Sequence, residues 1–339
     1  MADQDNQYKE ITSMDMSSAD YYFDSYSHFG IHEEMLKDKV RTLSYRKAIL
    51  DNKTLFKDKI VLDIGCGTSI LSMFAAQAGA KHVYGIECSN IAYQAKEIVK
   101  ENKLEDVVTI IQGKVEEVVL PVDKVDIIIS EWMGYFLFYE SMLETVLYAK
   151  EKWLVEGGLL FPNNAQLYLC AIEDGEYKDS KIAFWENVYG FKMSCIEELA
   201  LYEPLVDTVQ DEAIISDSDC IYDLNIDTVQ SKDLDFNSPF HIEFSRNDTM
   251  HALVGYFDIA FPGKKKVTFS TSPYAKETHW RQTVFYFRDS YDVSIGDSLE
   301  GTISVIRNKK NHRDLDVTVD CILIQKDSQT PIKQSYRIR

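Results

Sequence analysis

The sequence has no run approaching the ~18 consecutive apolar residues of a membrane span, and no basic segment followed by an apolar one at its start. Neither a membrane protein nor an exported one is expected. A basic surplus is missing too: 55 acidic residues stand against 36 basic ones, a net charge of −19. Gripping a duplex through its phosphates calls for clustered Lys and Arg, so direct nucleic-acid binding is not expected. Metal-ligand patterns are also lacking. The six cysteines (Cys66, Cys88, Cys170, Cys195, Cys220 and Cys321) form no C-x-x-C pair, and the seven histidines show no ligand spacing. Several cysteines sit inside apolar runs, such as Leu169-Cys170-Ala171 and Cys321-Ile322-Leu323. They read as buried free thiols of a reduced protein, not as a disulfide framework. Internal repeats and low-complexity tracts are absent.

What the chain does contain is enough apolar material for real cores: 45% hydrophobic residues and 12% aromatic ones in 339 residues. That length exceeds the ~150 residues typical of one domain, so two modules are expected. The charge is unevenly placed. Residues 196–240 carry twelve acids against Lys232 alone, whereas residues 241–339 carry 15 bases and 12 acids. The acid-dense stretch reads either as solubilised loops and edge strands or as a landing zone for a cationic substrate. Lys264-Lys265-Lys266 is too short for a nuclear signal and reads as a solvated turn.

Residues 1–20 are polar and acidic without periodicity and are expected to form a loose tail. A helix is predicted over 33–50, with Leu36, Val40, Leu43 and Leu50 near one face. Short apolar strands then alternate with helices. Strands are predicted at 60–64, 82–87, 107–111 and 125–129, with helices at 70–78 and 90–103. Ser141 opens a further helix with Glu144 as its capping-box partner, and Gly157-Gly158 stops the chain after it. Strands that are apolar throughout and alternate with helices mean a parallel sheet covered on both faces, here over roughly 30–160. After Phe161-Pro162 the texture changes. Segments 166–172, 241–244, 253–261, 283–287 and 317–324 read as short strands between Gly, Pro, Asn and Asp, as in an antiparallel barrel or sandwich. One aromatic-rich helical insertion, 177–188, interrupts them.

Two stretches carry chemistry. In Val61-Leu62-Asp63-Ile64-Gly65-Cys66-Gly67-Thr68-Ser69 a strand ends, a glycine turn follows and a helix opens. Backbone can approach a ligand closely there, at the strand edge where open α/β sheets bind ligands. A G-x-G-x-x-G fingerprint would need glycine at Ile70, so the pair by itself is also compatible with an ordinary tight turn. Glu87, ending the next strand, is placed to accept hydrogen bonds from two ribose hydroxyls. The second stretch, Ser130 to Ser141, holds Glu131 and Glu140 on either side of eight residues that are all aromatic, Met, Gly or Leu. Two carboxylates in such a setting are costly unless a cation neutralises them, and a planar guanidinium can bond both. Glu140 alone would read as a first-turn acid complementing a helix dipole.

With these motifs the sequence resembles the protein arginine methyltransferases, in particular the type I enzymes. The likeness runs from Tyr21-Tyr22-Phe23 to the C-terminus and includes Asp63-x-Gly65-x-Gly67, the Glu131/Glu140 "double-E" loop and Thr278-His279-Trp280. It implies an α/β Rossmann-like methyltransferase domain over 21–161, and a β-barrel substrate domain over 162–339 with a helical dimerisation arm at about 175–195. It further implies S-adenosylmethionine as donor and S-adenosylhomocysteine as product. Asp63, Gly65 and Gly67 would form the donor turn, and Glu87 would hold the ribose. Val115 and Glu116 would read the adenine, Arg41 would pair with the methionine carboxylate, and His32 would lie near the donor. Tyr22, Phe23 and Tyr26 would form part of a lid. Glu131 and Glu140 would clamp the substrate guanidinium, with Met35, Tyr135, Met142 and Trp280 lining its pocket. Asp38 and His279 resemble a proton-accepting pair of the family. The expected activity is mono- and asymmetric dimethylation of arginine in Arg-Gly-rich proteins, histone tails and RNA-binding proteins among them. A homodimer is expected in cytoplasm and nucleus, with higher oligomers as a further form. Symmetric dimethylation and a silent Arg-Gly-binding scaffold are the alternatives.

The chemistry sets a condition on such a site. A sulfonium and a guanidinium ~4 Å apart repel by about 4 kcal/mol at an effective dielectric near 20, which two carboxylates would offset. Drawing positive charge to the nitrogens they bond would leave the third nitrogen richer in electrons. The displaced proton would leave through Glu140 or through the Asp38–His279 pair. One position departs from the family: Ser69 stands where glycine is usual.

Overall fold

The computed structural model describes residues 25–339. The expected loose tail, and with it Tyr22 and Phe23, therefore lies outside the described residues.

Five parallel strands form the first sheet: β1 (Ile60–Ile64), β2 (His82–Glu87), β3 (Val108–Gln112), β4 (Val125–Ser130) and β5 (Leu154–Phe161), in the order β3-β2-β1-β4-β5. All residues of β1, β2 and β4 except Ile60, His82 and Asp126 are buried, which is why these strands carry no polar alternation. The strand order reverses between β1 and β4, so the carboxyl ends of those two strands flank a crevice.

The predicted N-terminal helix is broken at Asp38 into α1 (Phe29–Lys37) and α2 (Lys39–Leu50). Asp38 is extended, and its carboxylate accepts from the Arg41 N–H to cap α2. The buried face of α2 is Tyr45, Ala48 and Ile49; Leu36 and Leu43 of the expected apolar face are exposed. After the short α3 (Lys53–Phe56) come α4 (Ile70–Gln77), α5 (Ile91–Glu101) and α6 (Met142–Trp153). Two local expectations fail around α6. Ser141 is left-handed and makes no capping box; its hydroxyl donates instead to the His312 carbonyl, while Glu144 pairs with Arg307. Gly157-Gly158 does not end a helix but lies inside β5, beside a register shift against β4.

The second half is antiparallel. β6 (Asn164–Ile172) pairs with β8 (Ile214–Asn225) and β10 (Asp248–Phe261). β12 (Gln282–Val293), β7 (Leu205–Asp207) and β11 (Val267–Ser270) complete that sheet. A second sheet has the order β15 (Ser328–Ile338), β14 (Leu315–Gln325), β13 (Ser298–Arg307) and β9 (Phe236–Glu243). Side chains stitch the two sheets together at both edges. Asp217 and Asp219 of β8 accept the Glu243 and His241 amides of β9. On the other side Gln334 of β15 bonds both the Arg288 N–H and the Tyr286 carbonyl of β12. This accounts for part of the acid-dense stretch. Glu198 and Asp207 are tied to Arg288 and Arg281, and Asp235 to Arg307. Those acids are seam and edge partners as much as free surface charge.

The aromatic insertion is not one helix. It runs as α7 (Gly175–Lys181), a 3₁₀ turn at 183–186, a tight turn at 188–191 and α8 (Ser194–Tyr202). Phe184, Tyr189 and Phe191 stand exposed on it, Tyr189 at 95%. Cys66, Cys170 and Cys321 are buried as expected, but Cys195 and Cys220 are exposed.

Candidate active site

Every site residue named from the sequence, apart from Asp38, Asp63 and the two outside the described residues, lines one cavity of about 400 Å³ at the β1/β4 crevice. Its wall is built in two halves.

The first half follows β1. Gly65, Gly67 and Ser69 all have positive φ, at 67°, 52° and 70°. A Cβ on Gly65 would stand 2.4 Å from Met142 Cε, and one on Gly67 would stand 3.1 Å from His32 Nδ1. The left-handed backbone favours glycine at both positions, and at Gly67 the His32 ring leaves little room for a side chain, whereas the Met142 methyl beside Gly65 could swing aside. Ser69 occupies the same left-handed region with a side chain, fully buried, at a cost on the order of 1 kcal/mol. Glu87 at the end of β2 accepts from the Gly67 N–H at 2.9 Å and the Ser89 N–H at 2.8 Å, which aims its carboxylate along the turn. Asp63 lies behind the turn instead of in the wall. It is wholly buried, takes a 2.6 Å bond from Ser72 and leaves Oδ1 without a partner. Burial pushes its carboxyl up to about 7 despite that bond. His32, also buried, bonds the Tyr26 carbonyl at 2.8 Å. Val115 is buried in the wall. Glu116 is exposed at its rim, with a bond from Thr145.

Arg41 enters from α2. The expectation paired it with a ligand carboxylate, but its Nε donates to Glu131 at 2.9 Å, with the two side chains only 8% and 7% exposed. Nη1 reaches the Met35 carbonyl at 3.3 Å. Glu131 thus sits in the wall with a cation already beside it.

The second half is the loop from Glu131 to Ser141. It forms the apolar hairpin expected, closed by Gly134 N–H to Leu137 O and Tyr139 N–H to Tyr135 O. Four non-glycine residues in it are left-handed: Phe136, Leu137, Glu140 and Ser141. Such backbone costs ~1–3 kcal/mol per residue and persists only where the surroundings over-determine it. They do so here by burial. Phe136 packs on Phe285 at 4.9 Å, and Phe138 on Tyr222 and Phe236, so the apolar side chains belong to the core of the β half. Tyr135 is the residue of the hairpin left half-open to the cavity, stacked on Tyr139. Tyr26 Oη donates to Glu140 at 2.9 Å.

The β half supplies the floor. Trp280 is buried and donates to the Met133 carbonyl at 2.8 Å, tying it to the hairpin. His279 Nδ1 lies 2.8 Å from Asp38 Oδ2, and the same oxygen accepts the His279 N–H. Burial works to raise the Asp38 carboxyl, but the bonds from His279 and Arg41 outweigh it and hold Asp38 below the usual carboxylate range. The break between α1 and α2 is therefore where a carboxylate meets the Thr-His-Trp loop.

Sequence reasoning missed Arg313, Cys88, Lys114 and Thr145, which also line the cavity. Arg313 arrives from 173 residues beyond Glu140, and no local pattern signals it.

Comparison with known proteins agrees with this geometry. Residues 163–324 match the arginine methyltransferase oligomerization subdomain, and residues 48–160 match the ribosomal protein L11 methyltransferase family. The chain is 60% identical to protein arginine N-methyltransferase 1 of Chlamydomonas reinhardtii over 326 residues, 96% of this chain and 94% of that one. It is 56% identical to protein arginine N-methyltransferase 8-B of Danio rerio, over 98% of this chain and 79% of that one. A solved Trypanosoma brucei PRMT1 enzyme–prozyme heterotetrameric complex with AdoHcy superposes with a TM-score of 0.91 at 47% identity, covering 93% of this chain and all of that one.

Proposed function

The chain belongs to the protein arginine N-methyltransferase family, and from that premise we propose that it is a type I enzyme that methylates Arg-Gly-rich proteins. The observation that carries this reading is a pair of carboxylates, Glu131 and Glu140, in the wall of a cavity whose other half is a glycine turn with an acidic ribose-type acceptor, Glu87.

The residues fit S-adenosylmethionine. Gly65 and Gly67 admit close backbone approach, the Glu87 carboxylate suits the ribose hydroxyls, and Val115 with Glu116 suits the adenine edge. When bound, the donor supplies an activated methyl group on a sulfonium. The chain's own work is to hold the acceptor. Glu131 and Glu140 bond the substrate guanidinium and offset its repulsion with the sulfonium. Because Arg41 already shares Glu131, the negative charge facing the cation is weighted toward Glu140. Arg41 keeps Glu131 oriented, and its remaining hydrogens suit the donor's carboxylate. Trp280, Met35 and Met142 wall out water, which strengthens each of these bonds. For the proton that must leave, His279 is the better candidate. With its Nδ1–H on an ionised Asp38, the ring presents Nε2 as an acceptor.

Dimerisation through the arm at about 175–195 is part of the same reading. The arm exposes Phe184, Tyr189 and Phe191, while α1, α2 and α5 expose Phe29, Leu43 and Tyr93. These apolar patches suit each other across two copies. Residence in cytoplasm and nucleus rests on the family likeness alone. The deciding experiment incubates the enzyme with labelled donor and an Arg-Gly-rich peptide and identifies the products. Monomethyl and asymmetric dimethylarginine are expected. Symmetric product would refute the type I assignment, and binding without transfer would leave a scaffold.

A further inference from the structure

Glu140 is gripped by the other half of the molecule. Its N–H donates to the Arg313 carbonyl at 2.9 Å, and Arg313 Nη1 donates back to the Glu140 carbonyl at 2.7 Å. The Ser141 hydroxyl donates to the neighbouring His312 carbonyl. The two residues held in this way have φ of 75° and 55°, a region that non-glycine residues leave unless something holds them.

The turn that does the holding, residues 308–314 between β13 and β14, is itself fixed. Asn308 is buried; its side-chain oxygen accepts the Lys310 and Asn311 amides, and its amide group donates to Asp316 at 2.8 Å. Beside it, Arg307 joins Glu144, in the first turn of α6, to Asp235. The backbone of Glu140 is thus clamped to a turn fixed by its own bonds, and Glu140 lines the cavity with its carboxylate bonded by Tyr26.

We propose that the 308–314 turn, acting through Arg313, is the device that aims the Glu140 carboxylate at the substrate guanidinium, which makes Arg313 a positioning residue for methyl transfer. The inference rests on the reading above, in which Glu140 holds that guanidinium. Without the Arg313 side chain, Glu140 loses the Nη1 bond to its carbonyl and keeps the one from its own N–H to the Arg313 backbone, so its left-handed conformation is held less firmly. A displacement of about 1 Å at such a group costs up to ~100-fold in rate. The donor turn on β1 and β2 is held by its own bonds, from the Gly67 and Ser89 amides to Glu87, and donor affinity should change little.

The test compares full-length wild type with Arg313→Ala, Arg313→Lys and Ser141→Ala. It reads donor Kd, kcat per donor-binding site, KM for an Arg-Gly-rich peptide, and the ratio of dimethyl to monomethyl product at matched turnover. For Arg313→Ala, kcat per site is expected to fall about 10- to 100-fold, with donor Kd within about twofold and a lower dimethyl share. Arg313→Lys, whose ammonium can still donate to the Glu140 carbonyl, should recover part of the loss. Counting per donor-binding site removes any effect of misfolded protein. If Arg313→Ala yields no folded protein, Ser141→Ala decides, since it deletes a single hydroxyl: reduced kcat with unchanged Kd supports the clamp, and wild-type kcat overturns it. Wild-type kcat in Arg313→Ala, or a loss confined to KM, would also overturn it. A wild-type enzyme that leaves the peptide unmethylated would instead remove the functional reading on which the clamp depends.

Discussion

Glu131 and Glu140 face the same cavity, yet the fold holds them by opposite means. Glu131 directly follows the buried parallel strand β4 and is fixed by charge, through Arg41 of its own half at 2.9 Å. Glu140 sits in a loop of left-handed residues and is fixed by geometry, through backbone bonds from a hairpin 173 residues away. One is stable where the chain puts it; the other is stable only once the second half has folded against it. The pair teaches that a symmetric-looking motif can have asymmetric support, with different ways to fail.

The largest expected effect sharpens that contrast. Glu140→Gln and Glu131→Gln should each lower methyl transfer by about a thousandfold or more, since each removes a charge from the clamp on the substrate cation. Only Glu131→Gln should also weaken donor binding, because it leaves Arg41 buried without its anion. Equal donor affinities by calorimetric titration would erase the distinction. Arg41→Ala should cost about 3 kcal/mol of stability in denaturant unfolding by stranding Glu131, whose side chain is 7% exposed. A loss under about 1 kcal/mol would mean that the pair is better solvated than its burial implies.

Acidity separates the halves as well, because Asp63 lies behind the donor turn. Its folded carboxyl stands at about 7, against about 3.9 when unfolded, so the native state binds the proton more tightly. Stability should therefore fall as pH rises from ~4 to ~7, by an amount on the order of 3 kcal/mol, and Asp63→Asn should flatten that slope. Asp38 has the opposite sign. Its folded carboxyl is depressed, so its contribution is complete above ~4 and is lost only as pH falls through the lower folded value. Unfolding curves of the two Asn variants between pH 3 and 8, roughly spanning both windows, separate them. The smallest expected effect is Ser69→Gly. Removing a side chain at φ 70° should stabilise by about 1 kcal/mol and tighten donor binding a few-fold. A destabilised Ser69→Gly would show that the buried hydroxyl contributes more than the backbone strain costs.

Much of the donor half was legible because its signals are local. The first two apolar strands, the Asp63-x-Gly65-x-Gly67 turn and Glu87 all lie within residues 60–87, and parallel strands buried on both faces leave a plain pattern. The acceptor half was legible in composition, as two acids around an apolar hairpin, but not in support. The capping box at Ser141 failed because the hydroxyl found a carbonyl in the β13–β14 turn and Arg307 took Glu144. The N-terminal helix failed as one unit because the Asp38 carboxylate, used as a cap, also bonds His279 from 241 residues away. Strands β8 and β15 escaped notice, since their alternation is broken by polar seam residues such as Asp217 and Gln334.

The order of α/β then β, the glycine turn, and the choice of two glutamates and a Thr-His-Trp loop were all determined by the sequence alone. They depend on residue type and on spacings shorter than one element. Tertiary structure decided which cation each carboxylate meets and what keeps Glu140 in a strained backbone, because those contacts join residues 90 and 173 positions apart. Local propensity carries no information about such distant partners. Packing the hairpin's aromatics into the β core brings them together and makes the strain affordable.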